Sequence, residues 1–181
     1  MRERRMSDKN AKIRVMAKDD LLQVLSWRNH PEIRRFMYTT HEIEAAEHFA
    51  WFERESNNKN KILLIFEYNQ IPSGFVSFNI LQSGSTAEWG FYIAPDAPKG
   101  TGTALGHAAL DYCFDELGLH KLMGHVLEFN EKSINFHQKL GFLQEGVFRE
   151  HYFDGLVYQD VIYFGLLQQE WVAKERINHD N

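Results

Sequence analysis

The residues with the plainest chemical capacity lie between Trp89 and Ala104. There an apolar, β-prone stretch passes into Lys99-Gly100-Thr101-Gly102-Thr103 and on into a helical period. Glycines at alternate positions let backbone N–H groups converge on an anion, because glycine adopts turns that a Cβ blocks. A helix opening at that point adds about half a positive charge, and Lys99 brings a full one beside it. The combination predicts a pyrophosphate seat over Lys99, Gly100, Thr101, Gly102, Thr103 and Ala104. A strand-to-helix turn that needs small residues for packing alone is the other reading of the same spacing. The loop fits neither the Gly-x-x-x-x-Gly-Lys-Ser/Thr pattern for nucleoside triphosphates nor the Gly-x-Gly-x-x-Gly of dinucleotide folds.

The elements around that loop follow from hydrophobic period. Residues 13–16 read as a strand, and Asp19-Asp20 caps a helix carrying Leu21, Leu22, Leu25 and Trp27. An irregular helical stretch follows His30-Pro31. Residues 42–54 form a third helix, with Ala46, Phe49, Ala50 and Phe52 expected to face inward. The pattern then changes to strands over 61–68, 74–81 and 87–93, joined by turns at Asn69-Gln70-Ile71-Pro72 and Ser83-Gly84-Ser85. Residues 102–117 return to helical period, with Ala104, Leu105, Ala108, Ala109, Tyr112 and Leu117 on one face. A strand over 122–127, a short helix over 132–140, a strand over 142–148, a turn at Asp154-Gly155 and a last strand over 157–167 complete the chain. The sum is a mixed-sheet α/β domain over residues 11–181 behind a loose polar tail, residues 1–10.

Composition narrows the function classes. The chain has 181 residues, 44% of them apolar, which is enough for one sizeable core. No run approaches the roughly 20 apolar residues of a membrane span. Twenty Lys and Arg against 25 Asp and Glu leave a formal charge of −5, which argues against a general nucleic-acid binder. The one cysteine, Cys113, excludes an internal disulfide and any cysteine-pair zinc site. The histidines show no ligand spacing, so no metal is expected, and the Arg-rich start lacks the apolar stretch of a secretory signal. A soluble cytoplasmic protein is the expectation.

A second segment, Asn130-Glu131-Lys132-Ser133-Ile134-Asn135-Phe136-His137-Gln138-Lys139-Leu140-Gly141-Phe142, reads as a capped helix closed by glycine and followed by a strand. Its place, one strand after the pyrophosphate-type loop, resembles the GNAT acetyltransferase superfamily. That family carries a Gln/Arg-x-x-Gly-x-Gly/Ala loop and then an Asn-x-x-Ser/Ala-x-x-x-Tyr-x-x-x-Gly-Phe helix. Gly100, Gly102, Asn130, Ser133, Gly141 and Phe142 match, whereas Ala97 replaces the usual Gln or Arg and His137 stands where a tyrosine is common. The tail, Glu145-Gly146-Val147-Phe148-Arg149-Glu150 with Gly155, Asp160, Tyr163 and Glu170-Trp171, is similar to the branch that modifies ribosomal-protein N-termini and its small-molecule relatives. At the front, Trp27-Arg28-Asn29, Ile33-Arg34, Met37 and Glu47-His48-Phe49 resemble a narrower group. Its members acetylate the 4-amino group of a UDP-linked amino-deoxy sugar in pseudaminic-acid synthesis. The resemblance covers residues 12–171.

The resemblance implies a splayed, largely antiparallel mixed sheet flanked by helices and gripping acetyl-CoA. The pantetheine arm would pair with backbone near Tyr92 and Ile93, the pyrophosphate would sit on residues 99–104, and Asn130 and Ser133 would hold the pantetheine or thioester end. The implied partner is a small nucleotide-sugar acceptor, and the implied assembly a homodimer. Direct transfer needs a neutral amine, a stabilised carbonyl oxygen and a protonated leaving thiol. Glu88 is the candidate base, a backbone N–H near Ile93 the oxyanion donor, and His137 the thiol's acid, with Tyr92, Tyr152 and Tyr158 in reserve. Each has a bland alternative: Glu88 as a solvated strand carboxylate, His137 as a packing group. For the UDP pyrophosphate the candidates are Arg28, Arg34, Arg35 and His48, with Arg28 alternatively paired to Glu32 or Glu42. Met37, Tyr38 and Phe52 would line an apolar pocket for a deoxy-sugar methyl or stack on uracil, or serve as plain core. Acetyltransfer to protein N-termini, polyamines or antibiotic amines, and a CoA-binding module without turnover, are the competing functions.

Overall fold

Apolar, β-prone stretches form the strands, and they assemble into one seven-stranded sheet in the order β1-β2-β3-β4-β5-β7-β6. The computed structural model describes residues 10–82 and 84–179, with side chains through residue 174. The expected tail falls outside them except for Asn10, which stands in a turn. β1 (Ala11–Val15), β2 (Lys61–Tyr68), β3 (Ile71–Ile80) and β4 (Thr86–Ile93) form an antiparallel meander. The β2–β3 turn is Asn69-Gln70 alone, both at positive φ, so Ile71 and Pro72 belong to the strand. β5 (Lys121–Leu127) lies parallel to β4, β7 (Tyr158–Leu167) pairs antiparallel with β5, and β6 (Leu143–Phe153) pairs antiparallel with β7 at the far edge.

Helices cover both faces. On one, α4 (Thr101–Asp111), α5 (Glu131–Leu140) and α6 (Gln168–His179) seal a core of Phe66, Phe78, Trp89, Leu105, Leu110, Phe114, Phe142, Phe164 and Trp171. On the other, α1 (Leu21–Asn29), the single turn α2 (Pro31–Arg34) and α3 (Ala45–Ser56) cover Phe75, Ile65 and Leu63 with Trp27 and Phe52. Asp20 ties β1 to α1: its carboxylate accepts from both Nη atoms of Arg14 at 2.7 Å and from the Ala17 N–H at 2.8 Å. The Arg14 hydrogen bonds hold the Asp20 carboxyl below its usual range.

Three elements differ from expectation. On α3 the buried residues are His48 and Phe52, whereas Ala46, Phe49 and Ala50 are exposed, so the inward stripe is rotated and carries a polar group. The helix expected to end at 117 leaves α geometry at Tyr112 and finishes in a π turn over Tyr112–Glu116, which buries Cys113 and Phe114. α6 had no counterpart in the sequence reading. It starts with no intervening loop after β7, where the Glu170 carboxylate accepts from the Leu167 N–H at 2.9 Å.

Candidate active site

The sheet opens where the site lies. β4 and β5 are in register only at Thr86–Lys121, Ala87–Leu122 and Glu88–Met123; beyond these the two parallel strands diverge. Thr86 O accepts from Leu81 and Ala94 N donates to Ser73, which turns the even-numbered backbone groups of β4 toward β3. By alternation, the N–H and C=O groups of Trp89, Phe91 and Ile93 face the gap. Such a gap offers an extended chain a row of backbone partners, in the manner of an added strand.

β4 runs from the gap into the glycine-punctuated loop. Gly100 has φ +94°, a left-handed conformation that a side chain resists, and a Cβ there would meet nothing within 4 Å. The Thr101 hydroxyl, 1% exposed in the first turn of α4, has no hydrogen-bond partner among the described residues. A buried unpaired hydroxyl costs roughly 1–3 kcal/mol, and a phosphate oxygen would satisfy it. The next N–H groups, of Gly102 and Thr103, have no carbonyl within the helix to bind. Lys99 and Thr103 are exposed at the mouth, while Ile93 and Ala104 pack inward. Ala97, at the position of the family's Gln or Arg, packs against the α1–α3 core, so the cradle is backbone and hydroxyl.

His137 faces the aromatic core. It is 2% exposed, with its ring stacked on Phe164 at 5.1 Å and edge-on to Phe142 at 5.1 Å. Nδ1 donates to the Ser133 carbonyl at 2.8 Å, and Nε2 accepts from the Trp89 indole N–H at 3.1 Å. That pattern fixes one neutral tautomer and uses both nitrogens. Burial pulls its pKa down to about 4. An imidazole without a proton to give near neutrality does not protonate a thiolate, so the acid role expected of His137 gives way to a structural one. Asn130 and Ser133 support it: the Asn130 side chain caps α5 on the Ser133 N–H at 3.2 Å, and Ser133 holds the ring. Gly124 keeps the contact close, since a Cβ there would stand 2.6 Å from His137 Nε2 and 2.7 Å from Trp89 Nε1.

The opposite face of the gap carries a second set of groups. Glu88, half-buried, meets Nδ1 of His125 on β5 at 2.6 Å, and this bond lowers the carboxyl's pKa below its usual value. The His125 ring lies against Tyr38 at 5.5 Å and Tyr163 at 5.7 Å. Tyr38 also packs on Tyr152 at 5.0 Å, and Phe148 stacks on Tyr163 at 4.1 Å. Burial lifts the Tyr38 phenol to about 12, so it stays protonated. A bulge between Phe148 and Tyr152 turns Tyr152 toward this cluster; Glu150 takes φ +51° there, and its N–H is held by Asp160 at 2.8 Å. Tyr158, by contrast, is 62% exposed on the β6–β7 hairpin. Sequence reasoning passed over His125, Tyr163 and Phe148.

Farther along the same face of β4 stands Tyr92, packed on Phe75 at 5.1 Å, with burial raising its phenol pKa. Four residues of strand put it about 13 Å from Glu88, with the bare Gly90 between. Arg28 interacts electrostatically with Tyr92, Arg34 and Glu47, and burial lowers its pKa. Its Nη2 donates to the Thr39 carbonyl at 3.0 Å, which holds the segment bearing Met37 and Tyr38. Its Nη1 is buried without a partner among the described residues. The carboxylates expected beside it pair elsewhere, Glu32 with Arg35 and Glu42 with Arg34. His48, 4% exposed and stacked on Trp51, bonds the Leu21 backbone and leaves Nε2 without a partner among the described residues; burial lowers its pKa too. Met37 is half-buried after α2. No group of three or more His, Cys, Asp or Glu side chains converges among the described residues. No helix among them is long and apolar enough to cross a membrane.

The acetyltransferase (GNAT) domain family matches residues 11–143. Among curated proteins, the Campylobacter jejuni "Acetyltransferase PseH" is 33% identical over 117 residues, covering 64% of this chain and 72% of that protein. The Escherichia coli K12 "Spermidine N(1)-acetyltransferase" is 26% identical over 169 residues, covering 92% and 91%. Among solved structures, spermidine N-acetyltransferase from Vibrio cholerae in complex with CoA and spermine superposes with a TM-score of 0.82 at 26% identity. That superposition covers 90% of this chain and 98% of the other.

Proposed function

Because the chain belongs to the GNAT acetyltransferases, an N-acetyltransferase that uses acetyl-CoA, we propose that its acceptor is the amino group of a UDP-linked amino-deoxy sugar. The 4-amino group of the sugar is the position that the front segment's resemblance favours. Bound acetyl-CoA supplies a thioester whose carbonyl carbon accepts the amine. In this proposal Gly100, Thr101, Gly102, Thr103 and Lys99 take its pyrophosphate, and the backbone of Phe91 and Ile93 takes its extended arm.

The observation that carries the acceptor assignment is the pair of buried, unpartnered atoms, Arg28 Nη1 and His48 Nε2. The His48 ring bonds the Leu21 backbone, which leaves Nε2 to accept while Arg28 donates. A hydrogen-bond acceptor and a fixed positive donor suit the edge of a uracil, whose N–H donates and whose carbonyl accepts. The Arg28 charge repels the far ammonium of a polyamine. The spacing of about 13 Å from Glu88 to Tyr92 calls for an extended acceptor with an amine at one end and polar or anionic groups at the other. A polyamine acceptor is the second reading, favoured by the aromatic rings around Glu88, which suit an ammonium.

The test is a competition in which one enzyme sample meets acetyl-CoA, a UDP-4-amino-4,6-dideoxy sugar, spermidine and an N-terminal peptide, with products read by mass. Acetylated sugar nucleotide as the main product supports the proposal. Acetylated spermidine or peptide in its place overturns the acceptor and leaves the acetyltransferase standing. The homodimer is likewise a proposal, which sedimentation equilibrium tests: a monomer at micromolar concentration rejects it.

A further inference from the structure

The amine-acetylating function proposed above needs a group that removes the acceptor ammonium's proton, and the pairing across the β4–β5 divergence selects one. Glu88 is the last β4 residue in register with β5, and His125 is the next residue of β5 on the same face after Met123. The Glu88 carboxylate binds His125 Nδ1 at 2.6 Å, with both side chains about 30% exposed. A carboxylate on Nδ1 holds the proton there, and the lone pair of a neutral imidazole is then on Nε2. Nε2 has no protein partner among the described residues. Tyr38 and Tyr163 flank the ring and hold its plane. Glu88 has given its near oxygen to the imidazole, and that bond lowers the carboxyl's pKa below its ordinary value, so the carboxylate stays ionised and holds the ring.

We infer that His125 Nε2 is the base that takes the acceptor's proton, and that Glu88 is its positioning residue. The ammonium N–H bond breaks, its proton moves to Nε2, and the freed nitrogen pair forms the C–N bond to the acetyl carbonyl carbon. The C–S bond then breaks with its electrons on sulfur. The second proton, released by nitrogen as the amide forms, goes to the thiolate, and the imidazolium returns its proton to solvent. One substrate ammonium thus yields an amide, a thiol and one proton, with no other reactant.

The sequence keeps the two residues 37 positions apart, and only the parallel crossover brings them together. His125→Ala is expected to lower kcat by about 10² to 10⁴-fold, with the KM for acetyl-CoA unchanged and part of the rate restored by added imidazole. Glu88→Gln, which keeps the shape and loses the charge that orients the ring, is expected to lower kcat by roughly tenfold without imidazole rescue. A kcat within fivefold of wild type in His125→Ala, or a deeper loss in Glu88→Gln, overturns the assignment. An independent readout needs no turnover: ¹⁵N imidazole spectra, with the His125 signals identified by their absence in His125→Ala. A proton on Nδ1 is expected, and a proton on Nε2 of the neutral ring refutes the base role. A wild-type enzyme that acetylates no amine sinks the proposed function and the base with it, whereas a working enzyme indifferent to His125→Ala sinks the base alone.

Discussion

Replacing His137 with phenylalanine separates its structural role from a catalytic one. Phenylalanine retains the aromatic contacts with Phe164 and Phe142 but removes the acceptor of the buried Trp89 N–H. Leaving that donor unsatisfied costs about 1–3 kcal/mol, so the variant is less stable than wild type at pH 7.5. Acid acts in the opposite direction on the difference. The native ring titrates at about 4 against 6.5 for the free side chain. A depressed native pKa means that the unfolded chain binds the proton first. Wild-type stability from this group is therefore complete above pH 6.5 and is lost as pH falls toward 4. The gap is worth about 3 kcal/mol in total, of which about 2 is gone by pH 5. Urea unfolding of both proteins at pH 7.5, 6 and 5 should show the difference shrinking or reversing as pH falls. At pH 7.5 the folded variant should turn over within a few-fold of the wild-type rate. Turnover slowed by about a hundredfold or more with unaltered stability, or a stability difference that widens in acid, would refute the structural assignment.

Thr101→Val keeps the shape of the side chain and removes the unpartnered hydroxyl, so stability should hold or rise slightly while affinity for acetyl-CoA falls on the order of tenfold; calorimetry with thermal unfolding checks both. Arg28→Met should raise the KM for a UDP-sugar by roughly 10- to 100-fold, the value of a charge-assisted hydrogen bond, and leave the KM for acetyl-CoA unchanged in steady-state assays. Asp20→Asn should cost about 2 kcal/mol at pH 7, because the carboxylate that holds Arg14 is native-state stabilised. Its native pKa lies below the ordinary 3.8, so that contribution is present above this value and fades as pH falls past it. Chemical denaturation at pH 7 and pH 3 should show a clearly smaller penalty at pH 3, reduced by up to about 1 kcal/mol.

What was legible in the sequence was local chemistry. The loop from Lys99 to Ala104 announced itself because glycine, threonine and a helix start are informative without tertiary context, and the meander was visible because each strand is an apolar, β-prone run bounded by turn residues. What escaped depends on distant pairing. His125 looked isolated until β5 was laid beside β4. A signal was nevertheless present: Glu88 and His125 are acid and imidazole in two mostly apolar strands, and aligning the strand faces brings them together. On α3 apolar residues were assumed to point inward, yet the buried face carries His48 while Phe49 is 39% exposed. A buried polar side chain in that face breaks the hydrophobic pattern, and period alone does not show where such a break falls. His137 erred in the other direction, because a histidine in a tyrosine's place suggested a proton donor. Only the Trp89 and Ser133 partners show that its nitrogens are occupied. α6 was hidden because it follows β7 without the turn residues that mark a boundary.

The central claim is that the diverging strands separate two seats, a pyrophosphate seat at the start of α4 for the acetyl donor and a second at Arg28 and His48 for the acceptor's nucleotide. Calorimetry of acetyl-CoA and of UDP, each titrated alone and in the presence of the other, tests it most directly. The account predicts simultaneous one-to-one binding of both, with Thr101→Val weakening only the thioester and Arg28→Met only the nucleotide. Mutual displacement of the two ligands, or UDP binding indifferent to Arg28→Met, would contradict it.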